Sequence, residues 1–270
     1  MGKTRRAFRL MATSFRVLRA TPALLAVMAA GIVGSAAVTV TLGWLVLRGM
    51  PTAEDLAWPR VLIVFPLLAA GSYVSNFANA IVMATAHDRM AGREATVADG
   101  FRRARACLPE LFLWTSLAIG VGLVLQVIAE RLRLGGVIAR WVLGLAWAIA
   151  TFFVVPAIVI DGMSLGDGIQ RSARLVKARW GEAVTGSAGL GAIFLIAFFL
   201  GAVAVGTVAV VSGPLAIVLG IALFCAVIAG LEAAGSVFRV ALYAYAKGEP
   251  VGPFSEADLW GAFRLKGQPR

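Results

Sequence analysis

Acidic side chains are scarce in this chain: 14 Asp and Glu among 270 residues, with a single His and two Cys. That inventory leaves little for a metal cluster, a disulfide framework or a soluble catalytic domain. Charged residues make up only 14% of the whole, against about 25% in ordinary soluble domains, so a water-soluble globule is excluded on composition. What fills the gap is apolar: 60% of the residues are hydrophobic. We therefore expect an integral membrane protein and no enzyme.

Crossing a hydrocarbon core of about 30 Å takes roughly 20 apolar residues in a helix. Pro22 to Leu47, Val61 to Ala86, Leu111 to Ala129 and Trp141 to Ile160 are uncharged runs of that order. Ala183 to Leu231 carries no charge over 49 residues, too long for one span, and must fold back. The turn signal Ser212-Gly213-Pro214 divides it into a fifth span over 183–211 and a sixth over 215–246. The expected fold is all-α: one integral membrane domain over 1–270, a polytopic transmembrane bundle of six helices in three hairpins.

A formal charge of +11 raises nucleic acid as a partner, but a membrane protein explains it otherwise, through basic cytoplasmic loops facing an anionic leaflet. Residues 1–21, 87–110, 161–182 and 247–270 carry six, five, four and four Lys/Arg, whereas the opposite loops hold only Arg48, Arg60, Arg131, Arg133 and Arg140. Both termini are therefore expected in the cytoplasm of a cell whose plasma (inner) membrane holds the chain. A 26-residue first run is longer than the 7–15 of a signal-peptide core, so an uncleaved first span is expected. No lipid anchor is indicated.

The cytoplasmic stretches repeat a design. Basic amphipathic helices over about 3–20, 97–108 and 165–180 lead into spans, and such helices favour the interface plane. In the first, Phe8, Met11, Phe15 and Leu18 recur at helical spacing beside Arg5, Arg9 and Arg16. In the third, Ile169, Ala173, Val176 and Trp180 form one face, opposite Arg171, Arg174 and Lys177. The second carries Arg102, Arg103 and Arg105 and ends before Pro109. Arg5, Arg9, Arg16, Arg102, Arg103, Arg171, Arg174, Lys177 and Trp180 are the candidate contacts to anionic phospholipid headgroups. Hydroxyl-to-acid spacings at Thr96/Asp99, Ser164/Asp167 and Ser255/Asp258 predict helix-capping boxes.

Pro156, Asp161-Gly162, Ser164, Arg171-Ser172, Trp180-Gly181-Glu182 and Leu242-Tyr243-Ala244-Tyr245-Ala246 resemble an uncharacterised prokaryotic family of six-span membrane proteins, a domain of unknown function. More distantly the chain resembles the membrane domain of some bacterial glycerophosphodiesterases. The resemblance covers nearly the whole chain and implies the six-span fold. It brings no reaction or ligand, and the phosphodiesterase barrel of the distant relatives has no counterpart here.

Polar residues within the spans are the remaining candidates. Ser72, Ser75, Asn76 and Asn79 fall on one stripe of the second span, either as interhelical hydrogen bonds or as the lining of a solute path. Glu232 and Arg239 lie two turns apart in the sixth. Intramembrane charge suggests function, yet near the inner edge Glu232 can pair with an arginine such as Arg171 or Arg174. His87, beside Asp88, reads as a solvated helix cap. Ser187/Gly191, Ala202/Gly206 and Ala226/Gly230 are small-residue pairs that allow close helix approach. No cofactor, metal ion or nucleic acid is expected. The leading expectation is a non-enzymatic membrane component that associates with anionic phospholipid, another membrane protein or itself. The alternative is a small-solute or lipid transporter with a polar site between the second and sixth spans, lined by Ser72, Ser75, Asn76, Asn79 and Glu232.

Overall fold

A computed structural model describes residues 12–48, 59–131, 133–180, 203, 207 and 213–254. Their regular structure is α-helical: α1 (12–19), α2 (Pro22–Arg48), α3 (Pro59–Met90), α4 (Val97–Ala106), α5 (Leu108–Arg131), α6 (Arg133–Ala150), α7 (Val154–Asp161), α8 (Leu165–Trp180) and α9 (Gly213–Lys247). Among the described residues five segments are long and apolar enough to cross a membrane: Pro22–Val46, Phe65–Met90, Leu108–Arg131, Ala139–Asp161 and Ala222–Lys247. They correspond to the first, second, third, fourth and sixth expected spans. The fifth lies outside the described residues. So do residues 3–11 of the first interface helix, with Arg5 and Arg9, the Ser255/Asp258 cap and Ser187/Gly191. Of the expected turn, Gly213 and Pro214 instead open α9, where proline is tolerated because the first helical amides need no partner.

The fourth span is not one rod. Pro156 has no amide hydrogen, and its ring would crowd the Phe152 carbonyl four residues back, so the helix breaks over Thr151–Phe153 and restarts as α7. The break opens backbone groups that Ser172 of α8 closes: its Oγ accepts from the Phe153 amide at 3.0 Å and donates to the Ala150 carbonyl at 2.7 Å.

That bond turns α8 from its expected orientation. Gly168, Ser172, Leu175 and Val176 are buried against the α7 side, Arg171 is half-buried, and Ala173, expected on the apolar face, is exposed. The amphipathic face is set by what α7 needs covered as well as by apolar periodicity.

Helix α3 is the hub, touching α2, α4, α5, α7 and α9. Its contacts with α2 and α4 depend on absent side chains. A Cβ on Gly31 would collide with Ala78 Cβ, one on Gly71 with Thr39 Oγ1, and one on Gly100 of α4 with Thr85 Oγ1 while lying 2.8 Å from the Ile81 carbonyl. Close backbone approach of this kind is how helices associate where lipid offers no hydrophobic drive. The Ala226/Gly230 pair is used differently: a Cβ on Gly230 would only touch Phe15 of α1, at 3.7 Å.

Burial is concentrated at one end of the bundle. Leu18, Leu24, Met28, residues 80–84 of α3, residues 153–159 and most of 233–246 are buried, whereas Val40, Trp44, Leu45, Val124, Val127, Trp141, Leu145, Val218 and Leu223 are exposed large hydrophobics. The starts of α2 and α5 and the ends of α3, α7 and α9 therefore share the packed end. The other ends present the apolar surface expected of helices in lipid.

Candidate functional site

At the packed end the helices finish in the same way. Gly92, Gly162 and Gly248 have φ of 77°, 65° and 76°, the left-handed conformation that glycine adopts without strain at a helix end. The amide after each glycine reaches back to a carbonyl of the last turn: Arg93 to Asp88, Met163 to Ala157 and Glu249 to Ala244. Two of these glycines lead into the hydroxyl caps. Thr96 and Asp99 form a complete capping box on α4, and Ser164 Oγ accepts from the Asp167 amide at 3.2 Å on α8. Thr96 holds Asp99 with side-chain and backbone hydrogen bonds, which with nearby Arg102 keep its carboxyl below the ordinary carboxylate range.

The side chains around these ends form a continuous charged layer. Tyr243 Oη donates to Asp161 Oδ2 at 2.6 Å, and Lys247 Nζ donates to Asp161 Oδ1 at 2.7 Å. Lys247 also pairs with Glu249 at 2.6 Å, and Glu249 Oε2 lies 3.3 Å from His87 Nε2. On the far side of His87, Asp88 accepts from Arg93 and, at 3.1 Å, from Arg103 of α4. Arg89 donates to the Ala95 carbonyl at 2.8 Å and to Thr21 at 2.6 Å, tying in the start of α2. Glu110 of α5 accepts from the Leu165 amide at 2.7 Å.

Most of this layer is protected from water: Asp161 and Lys247 expose 16% and 17% of their side chains and His87 13%. His87 is thus not a solvated cap. Burial pushes the Glu249 carboxyl up, but hydrogen bonds and charge from Lys247 and His87 outweigh it and hold the group below its usual range. Burial, with Glu110 acting in the same direction and Arg103 against it, raises the Cys107 thiol, whose Sγ lies 3.4 Å from the Ile158 carbonyl. Both described cysteines are free.

The polar stripe of α3 joins helices. Asn76 Nδ2 donates to Thr115 Oγ1 of α5 at 2.9 Å; Asn79 accepts from Ser236 of α9 and donates to the Ser75 carbonyl at 3.2 Å. Ser72 and Ser75 are half-buried on the same helix. Glu232 is exposed and makes no ion pair among the described residues; Arg239 is the charge it acts on. Arg171 lies at the Tyr243 hydroxyl and Arg174 Nε lies 3.4 Å from the Gln170 carbonyl, so neither meets Glu232.

Of the expected headgroup contacts, Arg16, Arg102, Arg174 and Lys177 are exposed, Arg102 pairing with Asp99. Arg103, partly exposed, pairs with Asp88, and Arg171 turns inward. The Trp180 side chain lies outside the described residues. Sequence reasoning missed Asp161, Tyr243, Lys247 and Glu249 as one cluster. The available signal was the recurrence of glycine beside a charged residue at three helix ends.

Among the described residues no group of three His, Cys, Asp or Glu side chains is placed to hold a metal ion. Residues 57–253 match the model of a family of unknown function, DUF6159. The chain belongs to that family. The match runs from two residues before α3 to the last described turn, so it takes in the whole charged layer apart from Thr21. No curated protein and no solved structure matches the chain, and the distant likeness to glycerophosphodiesterase membrane domains gains no support from them. Family membership supplies no reaction for the layer, and its function has to be argued from geometry.

Proposed function

We propose that this family member is a non-enzymatic, six-span integral membrane protein of the plasma membrane, arranged as three hairpins with both termini in the cytoplasm, that associates with anionic phospholipid through its packed end. The observation that carries the reading is a division of charge. Asp88, Asp99, Asp161 and Glu249 are all engaged by neighbouring side chains, whereas Arg16, Arg19, Arg105 and Lys177 stand exposed. With these four acids engaged and Glu94 and Asp167 outnumbered by the exposed cations, the packed end shows an anionic leaflet a net cationic surface, each cation near the surface contributing about 1 kcal/mol. The repeated glycine caps support three equivalent hairpins, the third completed by a span over 183–211.

Asn76 donating to Thr115 and Asn79 accepting from Ser236 favour packing over the transporter reading, because amides already paired across helices are costly to redirect to a solute. Lipid analysis of the protein extracted in mild detergent tests the proposal. Enrichment of anionic over zwitterionic phospholipid is the expected result, and a monodisperse, lipid-free monomer overturns it.

A further inference from the structure

Where the fourth span breaks, two arginines each keep one buried donor without an acceptor among the described residues. Among the described residues, Arg239 Nε and Arg171 Nε are buried side-chain nitrogens with no hydrogen-bond partner. A buried unsatisfied donor calls for an explanation, and an unmodelled ion or ligand is one. Both border one aromatic cluster: the Arg239 guanidinium lies 5.2 Å over the Phe152 ring, Phe152 meets Phe153 at 5.0 Å, Phe153 meets Tyr243 at 5.6 Å, and Arg171 lies at the Tyr243 hydroxyl. Arg239 and Tyr243 are one turn apart on α9 and share a face.

We propose that Arg171 and Arg239 together bind an oxyanion, the phosphodiester of an anionic phospholipid headgroup. The inference rests on the lipid-associating reading above and assigns it a specific site. Nearby acids do not satisfy the pair: Asp161 is held by Tyr243 and Lys247, and Glu232 makes no ion pair among the described residues. Guanidinium forks match phosphate oxygens with paired hydrogen bonds, and the match strengthens where water is excluded. Depth also agrees. Arg239 lies about two turns before the Lys247 end of the Ala222–Lys247 segment, close to the headgroup layer at the packed end. Arg171 approaches the same layer on α8, where Ser172 fixes its height by closing the break.

The test uses the full chain in detergent micelles, titrated with phosphatidylglycerol, with phosphatidylcholine and with inorganic phosphate, and read by native mass spectrometry. Wild-type protein retains phosphatidylglycerol in preference to phosphatidylcholine. Arg239→Gln and Arg171→Gln each weaken that retention about tenfold or more. Arg239→Lys, which keeps the charge but not the fork, weakens it less, while Arg131→Gln, exposed at the opposite end of the bundle, leaves it unchanged. Displacement by millimolar inorganic phosphate would assign the site to free phosphate and overturn the lipid source. Variants that fold, by size exclusion and thermal unfolding, and hold phosphatidylglycerol as tightly as wild type would overturn this site alone. A wild-type protein that holds no anionic lipid would overturn the wider reading with it.

Discussion

Tyr243 and Asp161, 82 positions apart, meet through a 2.6 Å hydrogen bond that fastens the last turns of α9 to the end of α7. Lys247 holds the other oxygen of the same carboxylate. One acid thus secures two residues a turn apart on one helix, so the site reads out as stability. Tyr243→Phe removes a hydrogen bond to a charged acceptor and should cost about 1.5–3 kcal/mol. Asp161→Asn takes the charge out of both contacts at once, to Tyr243 and to Lys247, and should cost more. Thermal unfolding of the detergent-solubilised protein ranks the two; equal midpoints for Asp161→Asn and wild type would refute the role.

Glu249 gives the layer a pH dependence of known sign. Its folded carboxyl titrates below its ordinary value, so it binds its proton more weakly folded than unfolded. The stability it contributes is complete above the ordinary value of about 4.3 and is lost as pH falls through the lower folded value. Melting curves should show this contribution constant from pH 8 to about pH 5.5 and failing in acid. Glu249→Gln should lower the neutral plateau and shrink the acid limb. An unchanged acid limb in that variant would remove Glu249 from the account.

Gly100 sits where α4 crosses α3, and a Cβ there meets both Thr85 Oγ1 and the Ile81 carbonyl. Gly100→Ala should therefore destabilise by about 1–3 kcal/mol although alanine is the better helix former. Adding Thr85→Ala should restore only part of this, because the Ile81 carbonyl is backbone and cannot withdraw. Full rescue by the second change would show that the side chain alone sets the distance.

Replacing Asn79 by Leu breaks the bond from Ser236 that joins α3 to α9. The expected cost is about 0.6 kcal/mol and no more than about 1.7. Unfolding midpoints measured for Asn79→Leu, Ser236→Ala and the double variant give the coupling directly. A larger collapse, or loss of a measured solute flux in vesicles without loss of fold, would return the stripe to the transporter reading.

Orientation can be read by cysteine labelling. In a background lacking Cys107 and Cys225, Arg105→Cys should react with an impermeant maleimide only from the cytoplasmic side, and Arg131→Cys only from the outside. The reverse pattern would invert the topology. In the native chain Cys107, buried and raised in pKa, should stay unlabelled at neutral pH even in open membranes.

Elements whose cause is local were legible from the residues in order. Apolar runs marked five long helices, and Thr96/Asp99 and Ser164/Asp167 marked the starts of α4 and α8, because hydropathy and capping depend on neighbours a few positions away. Pro156 marked a candidate for the break at Thr151–Phe153, but Pro66 sits inside unbroken α3, so proline alone did not decide it. Asn76 and Asn79 were legible as polar positions, but their partners Thr115 and Ser236 were not.

Composition and spacing were sufficient to establish the helical character, the apolar spans and the basic balance of this chain, since each follows from short-range chemistry. Three-dimensional packing alone decided that Asp161 meets Lys247 across 86 positions, that His87 is buried, and that Arg171 turns inward while Arg174 stays in solvent. Those outcomes depend on each helix's rotation about its axis and its depth against its neighbours. Residues on other helices set both.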